Sequence, residues 1–183
     1  MKTRGPVAGI LVAATRGSDG SHLPIADADS IEAAIHVLAS TKIDQLVVML
    51  GEPAGTVAFH MAAPTTTVKR DKEWTTGLGG GLRGGVEALQ PDAVAILITT
   101  VDIVPEDGRA LRRAIRRYHR GESDCFIFER DGRVGLPALL DRRCRALLLE
   151  AQSEAELIDR IRQREDGCEV ISVTSPSPEP ATE

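Results

Sequence analysis

The sequence predicts a three-layer α/β sandwich around a mostly parallel, Rossmann-like sheet. Three observations carry that expectation. Short β-branched and Leu-rich runs alternate with segments of helical spacing along the whole chain, the pattern of repeated βαβ units with right-handed crossovers. Aromatic residues make up only 3% of a chain that is 42% hydrophobic, so the core has to be built from Val, Ile, Leu and Ala, the usual filling of a sheet buried on both faces. The first run, Val7-Ala-Gly-Ile-Leu-Val-Ala-Ala14, is continuously apolar and then empties into Thr15-Arg16-Gly17-Ser18-Asp19-Gly20-Ser21. A buried strand that ends in a small-residue turn marks the carboxyl edge where α/β sheets bind ligands.

Strands are expected at 7–14, 45–50, 66–69, 93–99, 124–129 and 170–173, each short and bounded by turn residues. Asp29, with Glu32 three residues on, reads as a capping box opening a helix over 30–40, with Ile31, Ala34, Ile35 and Leu38 as its apolar stripe. A short helix is expected at 54–61 after Pro53, and another at about 81–89. Asp107 caps a helix at 109–120 that buries Ala110, Leu111, Ala114, Ile115 and Tyr118 and turns Arg112, Arg113, Arg116, Arg117 and Arg120 to solvent. Ser153 with Glu156 forms a second capping box, for a helix reaching about Arg164.

The 183 residues suit one domain, 1–174, followed by a Ser/Pro/Glu-rich tail at 175–183 that cannot bury apolar area and is expected to be disordered. The net charge of −5 argues against nucleic acid as a partner. No apolar stretch is long enough to span a membrane, and the start lacks the pattern of a signal peptide. Cys125, Cys144 and Cys168 are widely spaced, show no metal-binding pair, and read as reduced thiols of a cytoplasmic protein. The four histidines have no metal-ligand spacing, and no nucleophile elbow is present.

Three segments carry candidate chemistry. In the first turn, backbone amides of small residues can cradle an anion, although Arg16 is answered by Asp19 and no lysine follows. The second segment starts at Trp74, the chain's single tryptophan, and packs six glycines between Gly77 and Gly85. Each glycine inside a helix costs about 1 kcal/mol relative to alanine. Such density therefore points to close backbone approach, and a ligand-facing loop is expected. The third is Asp102 in Thr99-Thr100-Val101-Asp102-Ile103-Val104-Pro105. A carboxylate at the carboxyl end of a central strand suits Mg²⁺, which takes one or two carboxylates along with phosphate oxygens.

In this order the segments resemble the MobA-like NTP transferases, especially their molybdenum-cofactor cytidylyltransferase branch, from Val7 to about Val173. Val12-Ala13-Ala14-Thr15 is similar to the family's Leu-Ala-Ala-Gly turn. Asp71-Lys72-Glu73-Trp74, Gly77 and Gly81-Leu82-Arg83 take the places of its Asn, Trp, Gly and helix-start Ser. Asp102 and Pro105 are similar to its Asp-x-Pro turn, and Gly135-Leu136-Pro137 to the Gly-His-Pro near the acceptor. The polar groups depart from the pattern: Thr15 stands for the turn glycine, Asp19 for the phosphate-binding arginine, Asp71 for asparagine, Gly81 for serine and Leu136 for histidine, and Ser172 and Thr174 lie where a second metal ligand is placed.

The resemblance implies a sheet of the nucleotide-diphospho-sugar transferase type. It also implies Mg²⁺-dependent transfer of a nucleoside monophosphate from CTP or GTP to a phosphorylated small-molecule acceptor such as molybdopterin, and a molybdoenzyme as partner. Carried over residue by residue, it assigns Ala13, Ala14, Thr15, Arg16, Gly17, Asp71, Gly77, Gly80 and Gly81 to the nucleotide and Asp102 to the metal. Arg16 and Arg83 are the candidate replacements for the lost cations. The departures point to a weakened catalyst, or to an inactive relative that serves as a binding or accessory protein.

Overall fold

Val7–Val12 forms the first strand, β1, and all of it is buried. Side chains alternate across a strand, so a run apolar throughout needs cover on both faces. Ala8, Ile10 and Val12 enter one apolar cluster, while Val7 and Leu11 enter another. The computed structural model describes residues 5–16, 22–24, 27–51, 65–71, 78–105, 107–164 and 167–173; at 14–16, 22–24 and 71 only the backbone is described.

After β1 come two short strands, β2 (Ala14–Arg16) and β3 (His22–Pro24), then α1 (Ala28–Ala39), β4 (Gln45–Gly51), β5 (Thr66–Asp71), α2 (Leu78–Glu87) and β6 (Ala95–Thr100). A 3-10 turn at Val101–Ile103 leads to α3 (Arg109–His119), β7 (Cys125–Arg130) and β8 (Arg133–Asp141). The chain closes with a 3-10 turn at Arg142–Cys144, α4 (Arg145–Glu150), α5 (Glu154–Arg162) and β9 (Glu169–Val173). Seven strands form one sheet in the order β5-β4-β1-β6-β8-β7-β9, and β2 pairs with β3 apart from it. Within the large sheet only β8 runs antiparallel to its neighbours. Leu78, Leu82 and Val86 of α2, Leu148 of α4 and Leu157 of α5 cover the Ile10 face, whereas Ile31 and Leu38 of α1 and Leu111 and Ile115 of α3 cover the Leu11 face. The predicted three layers are therefore present.

Several boundaries differ from the sequence expectation. The first helix starts two residues early, and its cap is Asp27, not Asp29. Asp27 has extended backbone (φ −80°, ψ 112°), and its carboxylate accepts the Asp29 N–H at 3.1 Å and the Ser30 hydroxyl. These bonds, the one from Ser30 first, hold the Asp27 carboxyl below its usual range. Asp29 then lies in the first turn, where the helix dipole favours its charge. Glu32 does not complete a box with Asp29; it faces His36 one turn on, at 3.8 Å.

The other two caps are close to expectation. Asp107 Oδ1 accepts the Arg109 N–H at 2.9 Å, and Ser153 Oγ accepts the Glu156 N–H at 3.2 Å while Glu156 reaches back to the Gln152 N–H at 3.0 Å.

Four elements were not expected: the short paired strands β2 and β3, the helix α4 and the long strand β8. Pro137 in Gly135-Leu136-Pro137 argues against a ladder strand. The chain resolves the conflict with a bulge, since the β7 partner steps from Ala138 to Gly135 and leaves Leu136 and Pro137 unpaired with it. The freed Leu136 N–H donates instead to Glu154 Oε1 at 2.9 Å. Asp131 (φ 52°) and Gly132 (φ 74°) make the tight turn from β7 to β8, the backbone that a two-residue hairpin requires. The helix expected at 54–61 and the tail at 175–183 lie outside the described residues. Among those residues no helix is long and apolar enough to cross a membrane.

Candidate functional site

β1 pairs in parallel with β4 on one side and β6 on the other. The chain therefore departs in opposite directions from the carboxyl end of β1, and in doubly wound sheets that reversal opens a crevice. Ala13 stands at this point, fully buried, and its N–H extends the ladder by donating to Met49 O at 2.9 Å. With its side chain in the core, Ala13 can offer a ligand only its backbone. Ala14, Thr15 and Arg16 follow as β2, with Thr15 paired to Leu23 of β3, so the expected turn begins and ends in an antiparallel ladder. Gly17 to Ser21, including Asp19, lie outside the described residues, as does the side chain of Arg16.

Asp102 comes to the same edge. Thr100, the last residue of β6, pairs with Val12, and the 3-10 turn that follows exposes Asp102. The Thr100 hydroxyl donates to Asp102 Oδ1 at 2.6 Å and fixes the carboxylate over the strand end. The Ala14–Arg16 strand packs against this turn, so two of the three candidate segments share one edge.

The third segment divides. Gln45, at the amino end of β4, accepts the Gln90 N–H at 2.9 Å and donates to Ala88 O at 3.1 Å. The C-terminal end of α2 is thereby held at the amino edge, so its first turn, with the buried Gly80 and Gly81, lies at the carboxyl edge. Asp71 ends β5 opposite Gly51 at that edge. Trp74 and Gly77 lie outside the described residues.

From Leu78 onward, however, the glycines are in a helix rather than in the expected ligand-facing loop, and two of them have a packing reason. A Cβ on Gly85 would lie 2.6 Å from Ile10 Cγ2, and one on Gly79 would lie 2.8 Å from Ala151 O. Backbone approach is indeed close, but to the sheet and to the end of α4. Arg83 is directed to the same junction, donating to Gln152 Oε1 at 3.4 Å.

Sequence reasoning missed part of this edge. A cavity of about 430 Å³ lies beside the Asp102 turn, and its lining includes Ile103, two cations, Arg130 and Arg133, and two carboxylates, Asp131 and Glu154. Gly135 and Leu136, matched above to the acceptor motif, are in its wall. Arg130 donates to Ile103 O at 3.3 Å and ties the β7–β8 hairpin to the Asp102 turn. The Asp131-Gly132 dipeptide was the available signal, because it predicts the hairpin that brings Arg130 and Arg133 side by side.

An exposed carboxylate oriented by a threonine hydroxyl is a fitting anchor for a hard divalent cation. Among the described residues no group of three or more His, Cys, Asp or Glu could hold a metal. A cation held through Asp102 would then complete its shell with substrate oxygens and water, as Mg²⁺ commonly does.

Comparison with known proteins agrees with this architecture. Among curated proteins no sequence matches the chain. Rv0371c from Mycobacterium tuberculosis H37Rv superposes with a TM-score of 0.70 at 21% identity, over 97% of this chain and 92% of that one. Its complex with manganese superposes at 0.69, also at 21% identity, over 95% and 91%. A nucleotidyl transferase from Methanothermobacter thermautotroptrophicus gives 0.68 at 23% identity, over 93% and 87%. At these identities the likeness speaks for the fold. The model of the MobA-like NTP transferase domain matches residues 14–168, from the start of β2 to the residue before β9. That span takes in the Ala14–Arg16 strand and the Asp102 turn, and the chain belongs to the MobA-like NTP transferase family.

Proposed function

We propose that the chain is a nucleotidyltransferase that moves a nucleoside monophosphate from CTP or GTP to a phosphorylated small-molecule acceptor such as molybdopterin, at a reduced rate. The observation that carries this reading is the shared edge of the Ala14–Arg16 strand and the Asp102 turn, on either side of the β1–β6 switch point. An acceptor oxygen attacks the α-phosphorus and pyrophosphate leaves, so the protein chiefly has to position the reactants and balance charge on the leaving group. Mg²⁺, when bound, neutralises phosphate charge. Asp102, aligned by Thr100, would hold it.

The backbone of Ala13 to Gly17, Gly77, Gly80 and Gly81, together with Asp71, would contact the nucleotide. Ala13 takes part through its main chain alone, its side chain being buried. Arg130 and Arg133 line the neighbouring cavity and suit an acceptor phosphate. A second reading, an inactive binding or accessory protein with a molybdoenzyme partner, is favoured by Asp19 standing where the family has a phosphate-binding arginine. An aspartate there repels a triphosphate by about 1 kcal/mol at contact range even in high dielectric.

Calorimetry with CTP, GTP and ATP, each with and without Mg²⁺, separates the two. The first reading expects Mg²⁺-dependent binding of CTP or GTP that weakens roughly tenfold or more in Asp102→Ala, the scale of one lost contact to a charged group. Heat-silent titrations with all three nucleotides would leave only the second.

A further inference from the structure

The three cysteines are far apart in sequence, but the fold brings two of them together at the far edge of the sheet from β5. Among the described residues β9 is the last strand and has only β7 beside it. The two run parallel, with Phe126 opposite Glu169, so the residues just before these, Cys125 and Cys168, face one another across the first rung. Their sulfurs are in contact at 2.7 Å. Cys125 is buried in the apolar cluster under α5, whereas Cys168 is partly exposed.

From this adjacency we propose that Cys125 and Cys168 are a reversible redox pair, which a low-molecular-weight disulfide converts into a Cys125–Cys168 bridge that fastens edge strand β9 to β7. The proposal does not depend on the function assigned above.

The two thiols have different parts. Cys168 is the reachable one. Contact with the Cys125 sulfur, aided by the Ile127 backbone and the charges of Arg164 and Arg162, holds its thiol below the usual range, and the thiolate is the attacking form. The same contact, with burial, pushes the Cys125 thiol up. Cys168 thiolate attacks one sulfur of the small disulfide and expels the first small thiolate, giving a mixed disulfide on Cys168. Cys125 then loses its proton, attacks the Cys168 sulfur and expels the second small thiolate. Two protein thiols have been oxidised by two electrons, and one small disulfide has been reduced to two thiols. The bridge closes a 43-residue separation that contains β8, α4 and α5, and a cross-link of that span limits the unfolded chain strongly.

The test uses the full chain incubated with glutathione disulfide. The expected product has lost two hydrogens by intact mass and titrates one thiol in denaturant where the reduced chain titrates three. Its proteolytic digest joins the Cys125 and Cys168 peptides, and its Tm rises by roughly 5–10 °C. Dithiothreitol reverses every change. Cys168→Ser abolishes them and Cys144→Ala retains them; should Cys168→Ser lose its circular dichroism spectrum, Cys168→Ala replaces it, and the wild-type mass stands by itself. Three thiols persisting after oxidation, glutathione retained on Cys168 without a bridge, or a bridge to Cys144 would each overturn the proposal.

Discussion

Asp27 shows how far one side chain can set a helix. Its carboxylate takes both the Asp29 N–H and the Ser30 hydroxyl, so it satisfies one of the open donors of α1's first turn and restrains the residue after it. Asp29 has the same chemistry two residues later but sits inside the first turn, where its charge helps and its cap is not needed. Replacing Asp27 by alanine should lower Tm by roughly 2–4 °C, the usual scale for a lost cap in a chain of this size, while Asp29→Ala should shift it by about 1 °C. Thermal melts of the two variants decide the matter, and the reverse order would return the cap to Asp29. Asp102 belongs to the same scale. The Thr100 hydroxyl aligns its carboxylate at the strand end, where it would hold the metal, so Asp102→Ala is the informative change in the nucleotide titrations.

Among the elements, α2 is the least stable by composition and the most constrained by its surroundings. Its five glycines would unsettle it in isolation, yet Leu78, Leu82 and Val86 bury it on the sheet and Gly85 lets its backbone approach Ile10. In an exposed helix Gly→Ala stabilises; here the added methyl would overlap Ile10 Cγ2 at 2.6 Å. Gly85→Ala should therefore destabilise by about 1–3 kcal/mol, the scale of overpacking, and a urea melt that shows a gain would refute the packing account. β8 teaches the complementary lesson. Its Pro137 makes it a poor strand by local rules, and it persists because β6 and β7 pair on both sides and Glu154 takes the one N–H that the bulge releases.

Across the whole molecule, a small polar network at the amino edge ties the layers together. Asp141, at the end of β8, accepts the Arg143 N–H at 3.0 Å and its guanidinium at 2.9 Å, and its other oxygen lies 2.8 Å from the Tyr118 hydroxyl of α3. That hydroxyl is also 2.8 Å from Val94 O, before β6. Burial alone raises the Asp141 carboxyl, but these donors outweigh it and hold the group below its ordinary value of 3.8. Burial and the Asp141 charge together push the Tyr118 hydroxyl well up, so it stays a donor. Ionised more readily folded than unfolded, Asp141 stabilises the chain at neutral pH, and that contribution is lost as pH falls from about 3.8 through the lower folded value. Melts from neutral pH downward should show wild type above Asp141→Asn at neutral pH, with the gap closing below about pH 4. A gap that stays constant would mean that the charge of Asp141 does not matter.

Much of this protein is determined locally. Unbroken apolar runs rich in Val and Ile and bounded by turn residues read as strands buried on both faces, and their alternation with amphipathic helices leaves a three-layer, mostly parallel sheet; a strand of Val, Ile and Leu records its burial in its own residues. Asp102 was legible for a related reason, since a carboxylate just past a central strand is at the carboxyl edge in any such fold. The Asp131-Gly132 turn did record the β7–β8 hairpin, but the bulge at Leu136, the packing role of Gly79 and Gly85 and the meeting of Cys125 with Cys168 left no such local record. Each depends on groups distant along the chain, such as Glu154 for Leu136 or Ile10 for Gly85, and contact between distant groups exists only once the sheet has brought them together.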